Sequence, residues 1–322
     1  MSVLSKPYMH DEAAAFAHVE SIIWPEGPVC PHCGVVDRAY RLTGVRSKPS
    51  KKNPEGVERH GLWKCRECRK QFTVRKGTIF EDSHIPMHKW LQAIHLMVSS
   101  KKGISSHQLH RVLEITHKSA WFMTHRIREA MRSDTSVDFG AGGGVVEVDE
   151  TFIGNDRTIK PKHTKKGRGY AHKHKLLTLV DRNTGRAKSV VVDDLKTKTL
   201  LPILQENITK EATIYTDEAG QYAHLRRDFA GHDFVRHGSG EYGRVDIHAN
   251  TIEGYFSIFK RGMKGVYQHC AKKHLHRYAA EFEFRYNNRV ANGVEDVERG
   301  KIALRAIVGK RLTYATPVEQ TH

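Results

Sequence analysis

Val145-Val146-Glu147-Val148-Asp149, Thr213-Ile214-Tyr215-Thr216-Asp217 and Asn250-Thr251-Ile252-Glu253 are the stretches on which the fold turns. The first two are short runs rich in β-branched residues, and each ends on an aspartate. The third opens a helix. Thirty-five residues lie between Asp217 and Glu253, and Lys260 follows the glutamate by 7. Seven residues are about two helical turns, so Glu253 and Lys260 share a face. Ile252, Phe256, Phe259 and Met263 form the apolar stripe of that helix, and Glu253, Ser257, Lys260 and Lys264 form a polar stripe beside it.

Around these stretches the pattern alternates. Strands are expected near 145–153, 175–182, 187–193, 213–217 and 234–237, with Asn183-Thr184-Gly185 as a hairpin turn and a helix over 198–206. Three antiparallel strands, a crossover helix and a further strand match a ribonuclease-H-like order. That order sets Asp149 beside Asp217. Three carboxylates about 4 Å apart repel by roughly 4 kcal/mol per pair at an effective dielectric of 20. Two hard divalent cations, Mg²⁺ or Mn²⁺, relieve that repulsion and can activate one oxygen while stabilising another. Asp149, Asp217 and Glu253 are therefore candidate ligands for two ions. Lys260 is a candidate point charge for a phosphate. Each acid also has a plainer reading. Asn250 and Glu253 have capping-box spacing, Asp217 can serve a turn before Glu218-Ala219-Gly220, and Asp149 can cap the segment beyond its strand. Glu150, Asp181, Asp193 and Asp194 compete as ligands.

Cys30-Pro31-His32-Cys33-Gly34 and Cys65-Arg66-Glu67-Cys68 are two Cys-x-x-Cys pairs, 31 residues apart. Two such turns can place Cys30, Cys33, Cys65 and Cys68 around one zinc ion. A redox dithiol is the alternative, and two copies argue against it. The excess spacing fits a ribbon with a basic tip over Arg46 to Pro54. Cys270 stands alone and reads as an ordinary thiol.

Between 81 and 139 the chain reads as helical. A first helix covers 88–98, Ser105 or Ser106 caps a second, Glu114-Ile115-Thr116 is a turn, and a third runs from about 118 to 132. Ala120, Met123, Ile127 and Ala130 recur at core spacing. Trp121, His125, Arg128 and Arg132 fall on another face and can point at a DNA groove, which is helix-turn-helix logic. The alternative is the solvated face of a bundle. Gly140 to Gly144 reads as a linker.

The 322 residues carry 53 Lys and Arg against 36 Asp and Glu, a formal charge of +17 that predicts attraction to polyanions, nucleic acid first. No apolar run approaches the ~20 residues of a membrane span, and no signal-peptide core opens the chain. A cytoplasmic, nucleoid-associated protein with reduced cysteines is expected. The fold class is α/β multidomain: a zinc ribbon within 1–80, a helix-turn-helix within 81–140, a ribonuclease-H-like mixed-sheet core over 141–290 and a tail over 291–322.

Val146 to Gly154, Tyr215-Thr216-Asp217, His248 to Arg261, Gly77-Thr78-Ile79-Phe80 and Glu281 to Asn287 resemble the DDE transposases of bacterial insertion sequences related to the Merlin group, with an ISXO2-like transposase domain. The resemblance runs from about residue 24 to 290. It implies that the ribbon and helix-turn-helix read terminal inverted repeats on double-stranded DNA. It also implies that the core frees 3′-hydroxyl ends and joins them to target DNA. Asp149, Asp217 and Glu253 become the acidic triad with Lys260 beside it, and Arg261 joins Lys260 as a DNA contact. Some members use Asn or His in place of the glutamate, and Asn250 and His248 are close by. A homo-oligomer holding two ends is implied by analogy. Two other readings are a DNA-binding regulator without chemistry and a nuclease that never joins ends.

Overall fold

The computed structural model describes residues 2–51, 53–133, 138–155, 170, 172–217, 220–222, 224–235 and 250–313. In chain order its regular elements are α1 (Glu12–Ile23), β1 (Ala39–Leu42), β2 (Leu62–Cys65), β3 (Gln71–Phe72), α2 (Met87–Ser99), α3 (Ser106–Leu113) and α4 (His117–Met131). They continue with β4 (Val145–Ile153), β5 (His174–Asp181), β6 (Ala187–Val192), α5 (Thr197–Asn207), β7 (Thr213–Asp217), β8 (Gly231–Val235), α6 (Asn250–Gly262), α7 (Lys272–Asn287) and α8 (Asp296–Arg305). These form two compact units. One comprises Met1–Ser100, Ser105–Met131 and Glu295–His322; the other comprises Lys101–Ile104 and Arg132–Val294.

In the first unit β1, β2 and β3 make an antiparallel sheet in that order. Asp11 caps α1 by accepting from the Ala14 amide at 2.7 Å. Buried Glu20 of α1 accepts from Trp63 Nε1 at 3.0 Å and pairs with Arg41, so the helix is tied to the ribbon. Glu12 accepts from the amides of Met87 and His88 at 2.8 and 3.2 Å, placing a negative charge at the positive end of α2. Ser105 caps α3, accepting from Gln108 N at 3.1 Å. Glu114, at φ +50°, turns the chain into α4, which Thr116 caps through Ser119 N at 3.1 Å.

Two expected boundaries are corrected. The ribbon and the helices share one unit instead of forming two domains. The segment after 291 is no mere tail: it contains α8, which packs on α1 and α2, and Arg299 donates to Val98 O at 3.1 Å. Contacts between residues distant in sequence set both outcomes, and composition carries no trace of such contacts.

The second unit is built on a mixed sheet of order β6-β5-β4-β7-β8. β4, β5 and β6 run antiparallel, and β7 and β8 run parallel to β4. Val146, Val148, Leu177, Leu179 and Ile214 pack on one face with Leu200 and Leu204 of α5. Ile153, Leu176 and Val180 pack on the other with α6 and α7, through residues such as Ile252, Phe259 and Phe282. Burial on both faces explains why β5 reads as a nearly continuous apolar run. Asp181 Oδ1 accepts from the amides of Asn183 and Thr184 at 2.8 and 2.9 Å, forming the hairpin turn. Its Oδ2 accepts from Gly140 N at 2.9 Å. The glycine run is therefore corrected from a linker to a packed turn, entered from the buried Phe139. The last strand begins at Gly231, three residues before its expected start, and 236–237 lie outside the described residues.

Candidate active site and zinc centre

β4 and β7 pair in parallel with Val145 opposite Thr213, Val146 opposite Ile214 and Glu147 opposite Tyr215. Continuing that offset by two residues brings Asp149 level with Asp217, on the sheet face that α6 covers. Asp217 stands at the carboxyl end of β7, while Asp149 lies midway along β4, which runs on to Ile153. Burial pushes the Asp149 carboxyl up to about 7, reinforced by the charges of Asp217 and Glu150. The Glu150 amide, donating to Asp149 Oδ1 at 2.6 Å, and the Lys260 ammonium pull the other way. Lys260 lies 5.4 Å over the Phe256 ring, with its stem along α6 and its head exposed.

Glu150 points to the opposite face. It accepts from Tyr222 OH and from Gln221 Nε2 at 3.0 Å. Burial raises its carboxyl, and the Asp217 charge adds to this, while the Tyr222 and Gln221 bonds oppose it. Fully buried Glu147 accepts from Arg182 Nε at 2.6 Å and from the Ile252 amide at 2.8 Å. It pins the first turn of α6 to the strand that carries Asp149. Sequence reasoning misses both Glu147 and the Tyr222–Gln221 pair. The available signal is Glu147 itself, a carboxylate two residues before Asp149 in an otherwise apolar strand.

The polar stripe of α6 and of the turn that follows it is as expected, with Glu253, Lys260 and Lys264 exposed and Ile252, Phe256, Phe259 and Met263 buried. Glu253 lies in the first helical turn, about two turns from Lys260. Among the described residues only the four cysteines gather three or more ligand atoms tightly enough to share one ion. The two aspartates are thus brought together, and Glu253 does not complete a tight triad with them. His248 lies outside the described residues. Three competing acids have structural work instead: Asp181 in its turn, Asp193 paired with Lys272 at 2.6 Å, and Asp194 accepting from Lys196 N and Thr199 Oγ1 at 3.0 and 2.7 Å.

Two of the expected DNA contacts are corrected. His125 and Arg128 are each only 1% exposed, so neither stands at the surface. From Met123 to Arg128 every residue of α4 is buried, so this stretch has no polar face turned to solvent. Arg132 and Arg261 are exposed, the latter also donating to Ser257 Oγ at 3.1 Å.

The cysteines meet as their spacing requires. Cys30 and Cys68 Sγ are 3.6 Å apart, Cys33 and Cys65 Sγ 3.7 Å, and all four lie within 4.8 Å of one another. A tetrahedron with Zn–S bonds of about 2.3 Å has edges of about 3.8 Å, so the thiols fit a zinc ion. The two turns are closed alike, Cys30 N donating to Val35 O and Cys65 N to Lys70 O, both at 3.0 Å. Gly34 and Arg69, each following the second cysteine of its pair, both have positive φ, +74° and +60°.

Comparison with known proteins identifies the family that combines such a sheet and ribbon. Residues 142–287 match the family model described as an ISXO2-like transposase domain, and residues 10–71 match a transposase zinc-ribbon domain. The chain belongs to the insertion-sequence transposases that combine these two domains. It is similar to a protein in transposable element ISH50 of Halobacterium salinarum, 26% identical over 282 residues covering 82% of this chain and 87% of that one. It is also similar to a transposase-like protein of Haemophilus influenzae, 29% identical over 100 residues that cover 31% of this chain and 80% of that protein. Among solved structures, a chain of the simian T-cell lymphotropic virus intasome in complex with PP2A regulatory subunit B56 gamma matches with a TM-score of 0.27 at 13% identity. That match spans 54% of this chain and 63% of the other. No helix among the described residues is long and apolar enough to cross a membrane.

Proposed function

We propose that this transposase cuts DNA at the ends of its element to free 3′-hydroxyls and joins those ends to target DNA by in-line phosphoryl transfer at Asp149, Asp217 and Glu253. The observation that carries this reading is the parallel register that sets Asp149 level with Asp217, with Lys260 close enough to act on Asp149. Strand order and direction support a ribonuclease-H-like core. The donor set is all carboxylate, which suits Mg²⁺ or Mn²⁺ rather than a thiophilic metal. Bound there, two such ions would activate the attacking oxygen and stabilise the leaving one.

The chain's own residues do the rest. Asp149 and Asp217 hold negative charge where the nucleophile must be oriented. Glu253, exposed on the first turn of α6 and outside a tight triad with them here, would supply the third carboxylate. Glu147 fixes the start of that helix through the Ile252 amide, and Lys260 holds a nonbridging phosphate oxygen. The ribbon and the α3–α4 pair read the terminal repeats, and exposed Arg132, Lys260 and Arg261 contact backbone phosphates. Joining two ends to one target calls for a dimer or larger assembly, working at the nucleoid.

The test is direct. Purified protein with Mg²⁺ and a labelled element end should give 3′-end cleavage and joined products, and Asp217→Ala should give neither. Cleavage without joining would reduce the reading to a nuclease. Activity that survives Asp217→Ala would remove the site.

A further inference from the structure

The hairpin between β5 and β6 and the end of α7 enclose a cleft of about 580 Å³ that the proposed chemistry does not use. It is lined chiefly by arginine and asparagine, among them Arg182, Arg186, Arg289, Asn287 and Asn292. We propose that this cleft is a second DNA-backbone site, which takes a phosphodiester of the bound duplex away from the scissile bond. The proposal rests on the reading of this protein as a DNA-processing transposase and adds a contact to it.

Charge is the first support. Arg182 is balanced by Glu147. Arg289 and Arg186 have no carboxylate partner among the described residues. Arg289 is also built in. Its guanidinium lies 3.9 Å over the Tyr286 ring, and its Nη1 donates to Gly185 O and Tyr286 O, each at 2.7 Å. A guanidinium anchored through one nitrogen and stacked on a ring is presented at little cost in side-chain entropy. Gly185 makes room for it. A Cβ there would lie 3.0 Å from Arg289 Nη2 and 3.1 Å from Asn292 Oδ1, and the backbone sits at φ +64°. Asn292 Nδ2 bonds Gly185 O and Asn287 O at 3.3 and 3.0 Å, which fixes the floor. Arg186 stands exposed at the rim.

Placement is the second support. Asp149 pairs with Thr178 on β5, and the cleft begins four residues on, at Arg182. At ~3.4 Å per strand residue this is about 14 Å. Strand phosphates of a duplex advance ~3.4 Å each along its axis, so the cleft meets the backbone about four steps from the carboxylates.

The experiment measures affinity of the full-length protein for a DNA duplex across a salt series, without divalent metal. Wild type should show a steep fall. Arg186→Ala, which loses no intramolecular bond among the described residues, should lower the slope of log K against log salt by about 1, equally on unrelated sequences. Arg186→Ala combined with Arg289→Gln should lower it by about 2, with thermal unfolding checked for the double variant. If Arg186→Ala and Arg186→Glu both keep the wild-type slope, the cleft does not hold DNA. Millimolar inorganic phosphate that stabilises wild type while those slopes stay unchanged would mark a small-anion site and equally overturn the proposal. A wild type that binds no duplex at all fails the transposase reading, a different result from a steep wild type with unaffected variants.

Discussion

Asp149 and Asp217 share one register position on neighbouring strands, so replacing either removes half of a charge pair that costs stability without a cation. Asp149→Asn should therefore leave the metal-free thermal midpoint unchanged or raise it, while cutting strand transfer by about 10²–10³-fold or more. Glu253 offers a cleaner test, because it is exposed in the first turn of α6 and no hydrogen bond or ion pair among the described residues holds it. Glu253→Gln should abolish joining with no movement of the midpoint, read by a cleavage gel beside a melting curve. Unchanged activity would leave the two aspartates without their third partner. The same scale governs the zinc turns. Nothing lies within 4 Å of a Cβ added at Gly34, so Gly34→Ala is opposed only by its φ of +74° and should cost about 1–2 kcal/mol. Arg69→Gly, at the equivalent position, should raise stability, and thermal unfolding of the zinc-loaded protein checks both. The aspartates and cysteines are legible in the sequence because each sits at a position of defined chemistry, the end of a β-branched run or a paired turn. Glu147, Gln221 and Tyr222 are not, because their value lies in partners 35 to 105 residues away along the chain, or on another element.

α7 guards the free edge of β6. Asn287 accepts from Ala187 N at 2.7 Å and donates to Ala187 O at 2.9 Å, and Glu283 accepts from Ser189 N at 3.1 Å. The fit is geometric, since four helical residues rise ~6 Å and two strand residues ~6.6 Å. With its outward groups bonded at Ala187 and at the Ser189 amide, this end of the edge strand is closed to pairing with another chain. Asn287→Ala would leave both Ala187 groups unpaired and should cost about 1–3 kcal/mol by denaturant unfolding. Glu283 adds a pH dependence. Burial pushes its carboxyl up to about 7, against the pull of the Ser189 amide and Lys188. The folded state then holds this proton more tightly than the unfolded chain does. Its contribution is whole below the ordinary glutamate range and is lost as pH rises toward 7 and past it. Glu283→Gln should flatten the fall in melting temperature between about pH 4.5 and 8, and an unaltered profile would count against this assignment. Element type is readable from periodicity nearly throughout. It fails at α8, which the sequence reads as tail, and for α4 it gives the type but not the face, because the Met123–Arg128 stretch is buried all round and a helical wheel cannot say which side meets solvent.

At the scale of the molecule, the chain leaves one unit and returns to it, and the cysteine end of that unit is the part least able to hold itself together. Its cluster contains only Cys30, Cys65 and Phe72 as buried members, flanked by Trp24, Val35, Ala39, Trp63 and Cys68. The sheet of the other unit has apolar layers on both faces. A handful of side chains cannot offset the conformational entropy of a three-stranded ribbon. Metal binding supplies the difference in domains of this kind, with about 10–16 kcal/mol measured for zinc-finger peptides near neutral pH. Stripping zinc with a strong chelator should therefore open amides between Val29 and Phe72 to hydrogen exchange. Amides of β4 and β5 should keep their protection, because their layers owe nothing to the thiols. Re-addition of Zn²⁺ should restore the ribbon signal, whereas Mg²⁺ should not, since thiolates select a softer ion. Equal loss of protection in both units would show that their stabilities are coupled. A ribbon that stays protected after chelation would show that its apolar contacts suffice and that the four thiols serve some other end.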